Sequence, residues 1–267
     1  AGATNIEDVF SAYTYTGNTA TQTITNGIDL STKGGMLWIK NRTGGPYSHM
    51  VFDTSKSPSL SLNTNTTDAN FSNLYQLSSF NSNGFTLGDG NYTNNSAATY
   101  VSWTFREATK FFDVVTYTGN GANRTIAHSL GAVPGMIAVK RTDTTGNWFV
   151  WHRSLTTGTN GNTLYLENTN AYAGTGNAIW SEIGDLPPTN SSTTFSIGSG
   201  PANTSGGTYV AYLFAHDTSA TGIIQCGSFT PTTGEGTVDL GFEAQFVLVK
   251  KAGTDNPAYP YRNWKLM

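Results

Sequence analysis

A six-residue apolar run that ends in a lysine occurs three times in this chain, and this repetition restricts the possible folds more than any other feature. The copies span residues 35–40, 135–140 and 245–250, with the sequences GMLWIK, GMIAVK and QFVLVK. Short continuous apolar runs are typical of strands that are buried on both faces. Because similar neighbours accompany each copy in the same order, the sequence predicts a tandem repeat of one structural unit.

Two complete units and one incomplete unit are predicted, and we name them unit 1 (residues 1–108), unit 2 (residues 109–218) and unit 3 (residues 219–267). Unit 3 stops after NWKLM, which matches NWFVW in unit 2. So few strands cannot close a two-layer sandwich, and their apolar faces need a cover. We expect that the chain is a fragment; packing of unit 3 against unit 2 and completion by a neighbouring chain are the alternatives.

The fold class follows from the spacing of the strand-like runs. Each complete unit has about seven short runs at intervals of about 8–12 residues, a pattern typical of a β-sandwich. In the closing strand of unit 1, Tyr100 is predicted to face one side of the sheet and Trp103 the other. We therefore predict an all-β protein made of tandem antiparallel β-sandwich repeats, jelly-roll-like, each of about 100–110 residues, with the third repeat incomplete.

Charged residues are few, at 12% of 267 residues, and the net charge is −3. This balance does not indicate a surface for nucleic acid or for an anionic membrane. No apolar run approaches the roughly 20 residues that a membrane-spanning helix needs. We therefore expect neither a nucleic-acid partner nor membrane insertion.

Ionisable side chains are too sparse and too scattered to predict an active site. Glu167, Glu182 and Asp185 come nearest to the carboxylate pair of a glycosidase, but unit 1 has no counterparts of them. Asp89 and Asp143 begin turns that do not continue into a calcium-binding loop. The four histidines lack the spacing of paired metal ligands. We predict that the protein is not an enzyme and has no catalytic residues, cofactor or metal site.

Aromatic side chains give the sharper functional hypothesis, because flat rings can stack against sugars. One group of tryptophans occupies repeated strand positions and is predicted to pack in the interior: Trp38, Trp103, Trp148 and Trp264. A second group lies in loops that differ between the units, where binding residues tend to be placed. We predict that this second group binds a ligand: Tyr47, Tyr92, Tyr172 and Trp180.

The longer repeated pattern resembles a known family. It consists of YTGN at residues 117–120, LGAVPGMIAVKRT at 130–142, NWFV at 147–150 and TYVAYLFA at 208–215. It is similar to the tandem repeats of virion appendage proteins, which are tail-fibre-like proteins of tailed bacteriophages, particularly marine and cyanobacterial phages. The similarity spans nearly the whole chain and is strongest in unit 2.

This resemblance implies a non-enzymatic structural protein on the virion surface or otherwise extracellular. It also implies self-association into a homo-oligomer or assembly with other virion proteins, and recognition of a host-surface glycan through loops. Two alternatives stay open on the sequence: a capsid decoration protein built from the same repeats, and a carbohydrate-binding module of a secreted glycan-active protein.

Overall fold

The structure is a computed structural model that describes residues 4–43, 45, 47–155, 163–169, 179–180, 190–230, 236–252 and 264–267. Of the described residues, about 40% are in strands and 4% in helices, and the strands pair in antiparallel sheets, which confirms the predicted all-β class. The elements of unit 1 are α1 (Ile6–Val9), β1 (Phe10–Thr16), β2 (Gln22–Thr25), β3 (Gly35–Asn41), β4 (Met50–Asp53), β5 (Leu60–Asn63), β6 (Phe71–Ser72), β7 (Leu77–Asn81), β8 (Gly84–Leu87), α2 (Asn91–Asn94) and β9 (Thr99–Arg106).

Units 2 and 3 continue the strand numbering. The strands of unit 2 are β10 (Phe112–Thr118), β11 (Arg124–Ala127), β12 (Pro134–Arg141), β13 (Trp148–His152), β14 (Leu164–Tyr165), β15 (Thr194–Ile197) and β16 (Thr208–Ala215). Unit 3 contributes β17 (Leu248–Val249) and β18 (Lys265–Leu266), which pair with each other.

Corresponding strands follow the same order in the sheets of units 1 and 2. The large sheet of unit 1 has the order β1-β9-β3-β4-β5-β6, and that of unit 2 has the order β10-β16-β12-β13-β14. The small sheets are β2-β8-β7 and β11-β15. The first and last strands also pair in the same register, since Phe10 lies opposite Phe105 and Phe112 lies opposite Phe214.

In each unit the small sheet covers one face of the large sheet, as in a β-sandwich. In unit 1 the core between the layers includes Leu37, Ile39 and Tyr100 from the large sheet and Phe85 and Leu87 from the small one. In unit 2 it includes Ile137, Val139, Tyr209, Phe195 and Ile197. The apolar runs of β3 and β12 are buried along almost their whole length, which confirms the prediction for these two copies.

The remaining faces of the two large sheets pack against each other, and we call this contact layer the central cluster. Phe105 and Phe214 meet edge to face across it, with ring centroids 5.6 Å apart. Trp38, Trp103 and Trp148 lie in the cluster, as their repeated strand positions predict. Its other main members are Phe10, Met36, Val51, Leu62, Phe112, Ala138, Val150, Leu164, Val210 and Tyr212.

Unit 3 adds a partial third side to the central cluster. The ring of Phe246 lies 5.3 Å from that of Phe105, so this segment packs on unit 1 as well as on unit 2. The prediction that residues 245–250 are buried on both faces is wrong. Val247 and Val249 are only half-buried, because none of the described strands lies over their outer face as β8 lies over β3.

Replacing Trp148 tests the importance of the central cluster. We expect Trp148→Ala to lower the free energy of unfolding by about 3–5 kcal/mol, because it leaves a large cavity where the side chain is 1% exposed. Urea unfolding followed by circular dichroism measures the change. Phe71→Ala is the control, since Phe71 is 44% exposed and its loss should change the free energy by less than about 0.5 kcal/mol. Equal effects of the two changes would contradict this account.

Candidate functional site

Two of the four predicted binding residues meet at one end of unit 1. The rings of Tyr47 and Tyr92 are perpendicular, and their centroids are 5.7 Å apart. Tyr92 is 44% exposed, whereas Tyr47 is half-buried. The hydroxyl of Tyr47 accepts a hydrogen bond of 3.2 Å from the Nδ2 of Asn95. The pair therefore combines an accessible ring with a neighbour that is held in place.

The other two predicted residues do not join this pair. Trp180 is 2% exposed and packs with Ile179 in the core of unit 2, so the prediction that it binds a ligand at the surface is wrong. Its indole packs on apolar strand residues of that core. A residue in a loop of the sequence can therefore still be buried. Tyr172 lies outside the described residues, and its assignment stays a prediction.

Sequence reasoning missed Tyr75, which is 62% exposed. Its carbonyl accepts a hydrogen bond of 2.7 Å from the backbone N–H of Gly90, the residue that precedes α2. The adjoining Gln76 accepts from the backbone N–H of Thr93 at 3.1 Å. These bonds place Tyr75 beside the helix that carries Tyr92. We call Tyr47, Tyr75 and Tyr92 the tyrosine surface.

A buried asparagine fixes the backbone on which Tyr92 stands. The Nδ2 of Asn94 donates to the carbonyl of Ala20 at 2.6 Å and to that of Gly88 at 2.7 Å. Its Oδ1 accepts from the backbone N–H of Asn18 at 2.9 Å. The side chain thus joins α2 to the loop between β1 and β2 and to the segment after β8, and we call this arrangement the asparagine clip.

The same clip recurs in unit 2. Asn203 donates to the carbonyls of Ala122 and Gly198 and accepts from the N–H of Asn120. A Thr-Gly-Asn sequence precedes each clip, and close packing of the backbone requires its glycine. A Cβ on Gly119 would lie 2.1 Å from the carbonyl oxygen of Thr204, far inside van der Waals contact.

Two stacked tyrosines bind the backbone of α2 through their hydroxyl groups. Tyr15 and Tyr100 are nearly parallel, with ring centroids 5.1 Å apart. The Tyr15 hydroxyl donates to the carbonyl of Thr93 at 2.7 Å, and the Tyr100 hydroxyl donates to that of Asn91 at 3.2 Å. Burial, with a smaller effect of Tyr100, raises the pKa of Tyr15 well above its usual value. The hydroxyls therefore stay protonated and keep the helix in one position.

Carboxylates gather at the junction of units 1 and 2. The hydroxyl of Tyr212 donates to the Oδ2 of Asp53 at 2.6 Å, and Lys56 forms an ion pair with the same oxygen at 2.5 Å. Burial opposes ionisation of Asp53, but Lys56 and the hydrogen bonds lower its pKa below the usual value. Burial, with repulsion from Asp113 and Asp53, raises the pKa of Glu107 to about 7.

The bond between Tyr212 and Asp53 joins the two units. Glu167, one of the three acids that come nearest to a glycosidase pair in the sequence, accepts from the backbone N–H of Trp148 at 3.0 Å within unit 2, and burial raises its pKa. Glu182 and Asp185 lie outside the described residues. Within the described ranges, no three histidine, cysteine, aspartate or glutamate side chains are placed to hold a metal ion.

The fold and the site together define an all-β sandwich protein whose exposed tyrosines stand on a rigid loop framework. Residues 6–266 match the family described as Domain of unknown function (DUF7483), and the chain belongs to this family. No curated protein and no solved structure matches the chain. Among the described residues, no helix has the length and apolar character needed to cross a membrane.

Removing the asparagine clip should destabilise unit 1. We expect Asn94→Ala to lower the free energy of unfolding by about 2–3 kcal/mol, because the buried carbonyl of Gly88, the carbonyl of Ala20 and the N–H of Asn18 lose their partner. Thermal and urea unfolding measure the change. Asn91→Ala, at an exposed position of the same helix, is the matched control and should have an effect of less than about 0.5 kcal/mol. A stable Asn94→Ala protein would show that the clip is dispensable.

The raised pKa of Glu107 predicts a pH dependence of stability. Because the folded-state pKa is about 7 and the usual value is 4.5, this group's contribution is complete below pH 4.5 and is lost as the pH rises through 7. Glu107→Gln should therefore be more stable than the native protein at pH 8 by about 1 kcal/mol, after allowance for partial exposure. At pH 4 the two should unfold alike. Parallel thermal unfolding curves at all pH values would refute the assignment.

Proposed function

We propose that this protein is a non-enzymatic structural protein of a bacteriophage surface appendage, tail-fibre-like, and that its tyrosine surface contacts a glycan of the host. The observation that supports glycan contact best is the exposed ring of Tyr92, packed against the half-buried Tyr47 on a backbone fixed by buried hydrogen bonds. The repeated sequence pattern resembles that of virion appendage proteins, and this resemblance supports the assignment to a surface appendage of the phage.

Rigid presentation favours this function. Binding is stronger when the contact residues are already ordered, because less conformational freedom is lost on association. Here Asn94 and the stacked Tyr15–Tyr100 pair fix the helix that carries Tyr92. Tyrosine also suits recognition, since its ring offers a broad apolar face and its hydroxyl offers a hydrogen bond.

The arrangement of the sheets also suits a structural role. The central cluster joins the two large sheets through aromatic side chains, so the loops at the ends stand on a packed body. Loops of this kind can change in sequence without disturbing the core. A surface protein that must match a variable host benefits from that separation.

A glycan array probed with the full chain should identify the ligand, and titration of the best glycan should give its dissociation constant. We expect Tyr92→Ala and Tyr75→Ala each to weaken binding at least about tenfold, equivalent to about 1.4 kcal/mol. Tyr13→Ala is the matched control, because Tyr13 is similarly exposed, at 39%, but lies on β1. It should leave the affinity unchanged.

Three outcomes would overturn the proposal in different ways. Equal loss of affinity with Tyr13→Ala would remove the tyrosine surface from recognition. Release of reducing sugar from the bound glycan would show that the protein is an enzyme. Immunogold labelling of virions that placed the chain on the capsid shell would favour a decoration protein instead of an appendage.

A further inference from the structure

Strand β1 forms an open edge of the large sheet of unit 1. It lies at the end of the strand order and pairs with β9 alone among the described strands. The pairing is regular along the whole strand, without a bulge. The middle residues Ala12, Tyr13 and Thr14 are all exposed. No described residue outside β9 forms a hydrogen bond with the backbone of these three.

The backbone groups of alternate residues in β1 point away from β9. In an antiparallel pair, residues that exchange hydrogen bonds with the neighbouring strand alternate with residues that do not. The N–H of Gly17 donates to the carbonyl of Ala98 at 2.8 Å, one step beyond the last pair of β1 and β9. The odd-numbered residues of β1 therefore bond to β9, and the even-numbered residues direct their N–H and C=O groups outward.

Two of these outward groups are already bonded within the chain. The N–H of Phe10 donates to the carbonyl of Ile6, and the carbonyl of Thr16 accepts from the Nε2 of Gln22 at 3.2 Å. The groups between them have no partner among the described residues, and they are the carbonyls of Phe10, Ala12 and Thr14 and the N–H groups of Ala12, Thr14 and Thr16. A row of this kind is a template for pairing with another strand.

The corresponding edge of unit 2, β10, is protected. Phe112 exchanges both of its outward hydrogen bonds with Ala108. The outward N–H of Val114 donates to the Oδ1 of Asp113 at 3.1 Å. An inward-pointing acidic side chain on an edge strand is a recognised device against unwanted pairing. Unit 1 has Ser11 at the position of Asp113, so the equivalent N–H stays open.

The other edges in unit 1 offer less backbone to a partner. At the far end of the large sheet, β6 has 2 residues, and β2 of the small sheet has 4. The register of β7 shifts between Leu77 and Ser79. Short strands and bulges are both known protections of a sheet edge. The regular edge of β1 is therefore the best suited to pairing.

Another unit of the same chain is a poor occupant of this edge, as unit 2 shows. Although unit 1 precedes it and unit 3 follows it, β10 pairs only with β16 among the described strands. The neighbouring units instead pack on the face of its large sheet, in the central cluster. The tandem arrangement therefore leaves this edge of a unit free.

We propose that β1 pairs with β1 of a second copy of this chain, antiparallel about a two-fold axis at Tyr13. In this register Ala12 lies opposite Thr14 of the second copy, and Phe10 lies opposite Thr16. Ala12 and Thr14 exchange two hydrogen bonds, and the N–H of Thr16 donates to the carbonyl of Phe10. All the open groups of both copies are then bonded. The two groups left over, the N–H of Phe10 and the carbonyl of Thr16, are those already bonded within their own chain.

The side chains of β1 also suit this symmetric contact. The strand has the sequence FSAYTYT, without a charged residue or a proline, so like charges do not oppose each other across the axis. Tyr13 is 39% exposed and faces Tyr13 of the second copy in a non-hydrogen-bonded pair, where side chains are closest. Aromatic pairs at such positions stabilise sheets. The inference is independent of glycan binding, since β1 shares no residue with the tyrosine surface.

Sedimentation equilibrium of the full chain tests the contact. We expect a reversible dimer, twice the chain's 28.5 kDa, with a dissociation constant of about 100 µM or lower. Thr14→Lys should raise this constant at least about tenfold, because the two lysines lie diagonally on one face and repel each other. Thr116→Lys is the matched control, since Thr116 is exposed at the same position in β10, and it should leave the constant unchanged. A chain that stays monomeric, or equal effects of the two changes, would overturn the proposal.

A disulfide tests the position of the axis. Opposed residues of a non-hydrogen-bonded pair are close enough for a disulfide, so mild oxidation should link Tyr13→Cys into a covalent dimer. Ser11→Cys is the control, because in this register its two copies are separated by about 14 Å. Equal cross-linking of the two variants would exclude the register.

Amide hydrogen exchange shows whether the edge itself is paired. The N–H groups of Ala12, Thr14 and Thr16 should exchange at least about tenfold more slowly in the dimer than in dilute, monomeric protein. That of Thr116 should exchange at the same rate in both. Slow exchange at Ala12 and Thr14 in the monomer would show that the same chain covers this edge. Fast exchange there in the dimer would place the contact elsewhere, and either result would refute the pairing.

Discussion

Burial of both faces of each large sheet is the constraint on which the rest of the structure depends. The small sheet covers one face, and the other face is covered by the second large sheet together with residues of unit 3 such as Phe246. Phe105 and Phe214 meet there with the tryptophans of both units, and the buried bond from Tyr212 to Asp53 fixes their relative position. The loops at the ends of the units, including the tyrosine surface, are held by sheets that are themselves ordered by this contact.

Much of the sheet structure could be predicted from the sequence, because period and apolar content are local properties. The runs at Gly35 and Gly135 form strands buried on both faces, and Tyr100 and Trp103 face opposite layers, as their alternation indicates. The third apolar run, residues 245–250, is not buried on both faces as its sequence predicts. Val247 and Val249 are as apolar as their counterparts, but burial requires a covering sheet, and the run itself carries no information about one.

The candidate site was harder to predict because its contacts join distant parts of the chain. Tyr47 and Tyr92 are adjacent in space, and Asn94 bonds to residues more than 70 positions away. No local pattern indicates such partners. Trp180 shows the opposite error, since its loop position suggested exposure although its neighbour Ile179 belongs to the core. An apolar residue beside a loop tryptophan was the one available signal of burial.

Successive units are joined by contacts with one direction. Trp148 and Lys140 of unit 2 donate to backbone carbonyls of unit 1, and Trp264 and Lys250 of unit 3 donate to backbone carbonyls of unit 2. Phe246 of unit 3 also contacts Phe105 of unit 1, so all three units pack on the central cluster. Unfolding of any one unit would therefore expose apolar side chains of the other two, which couples the stabilities of the three units.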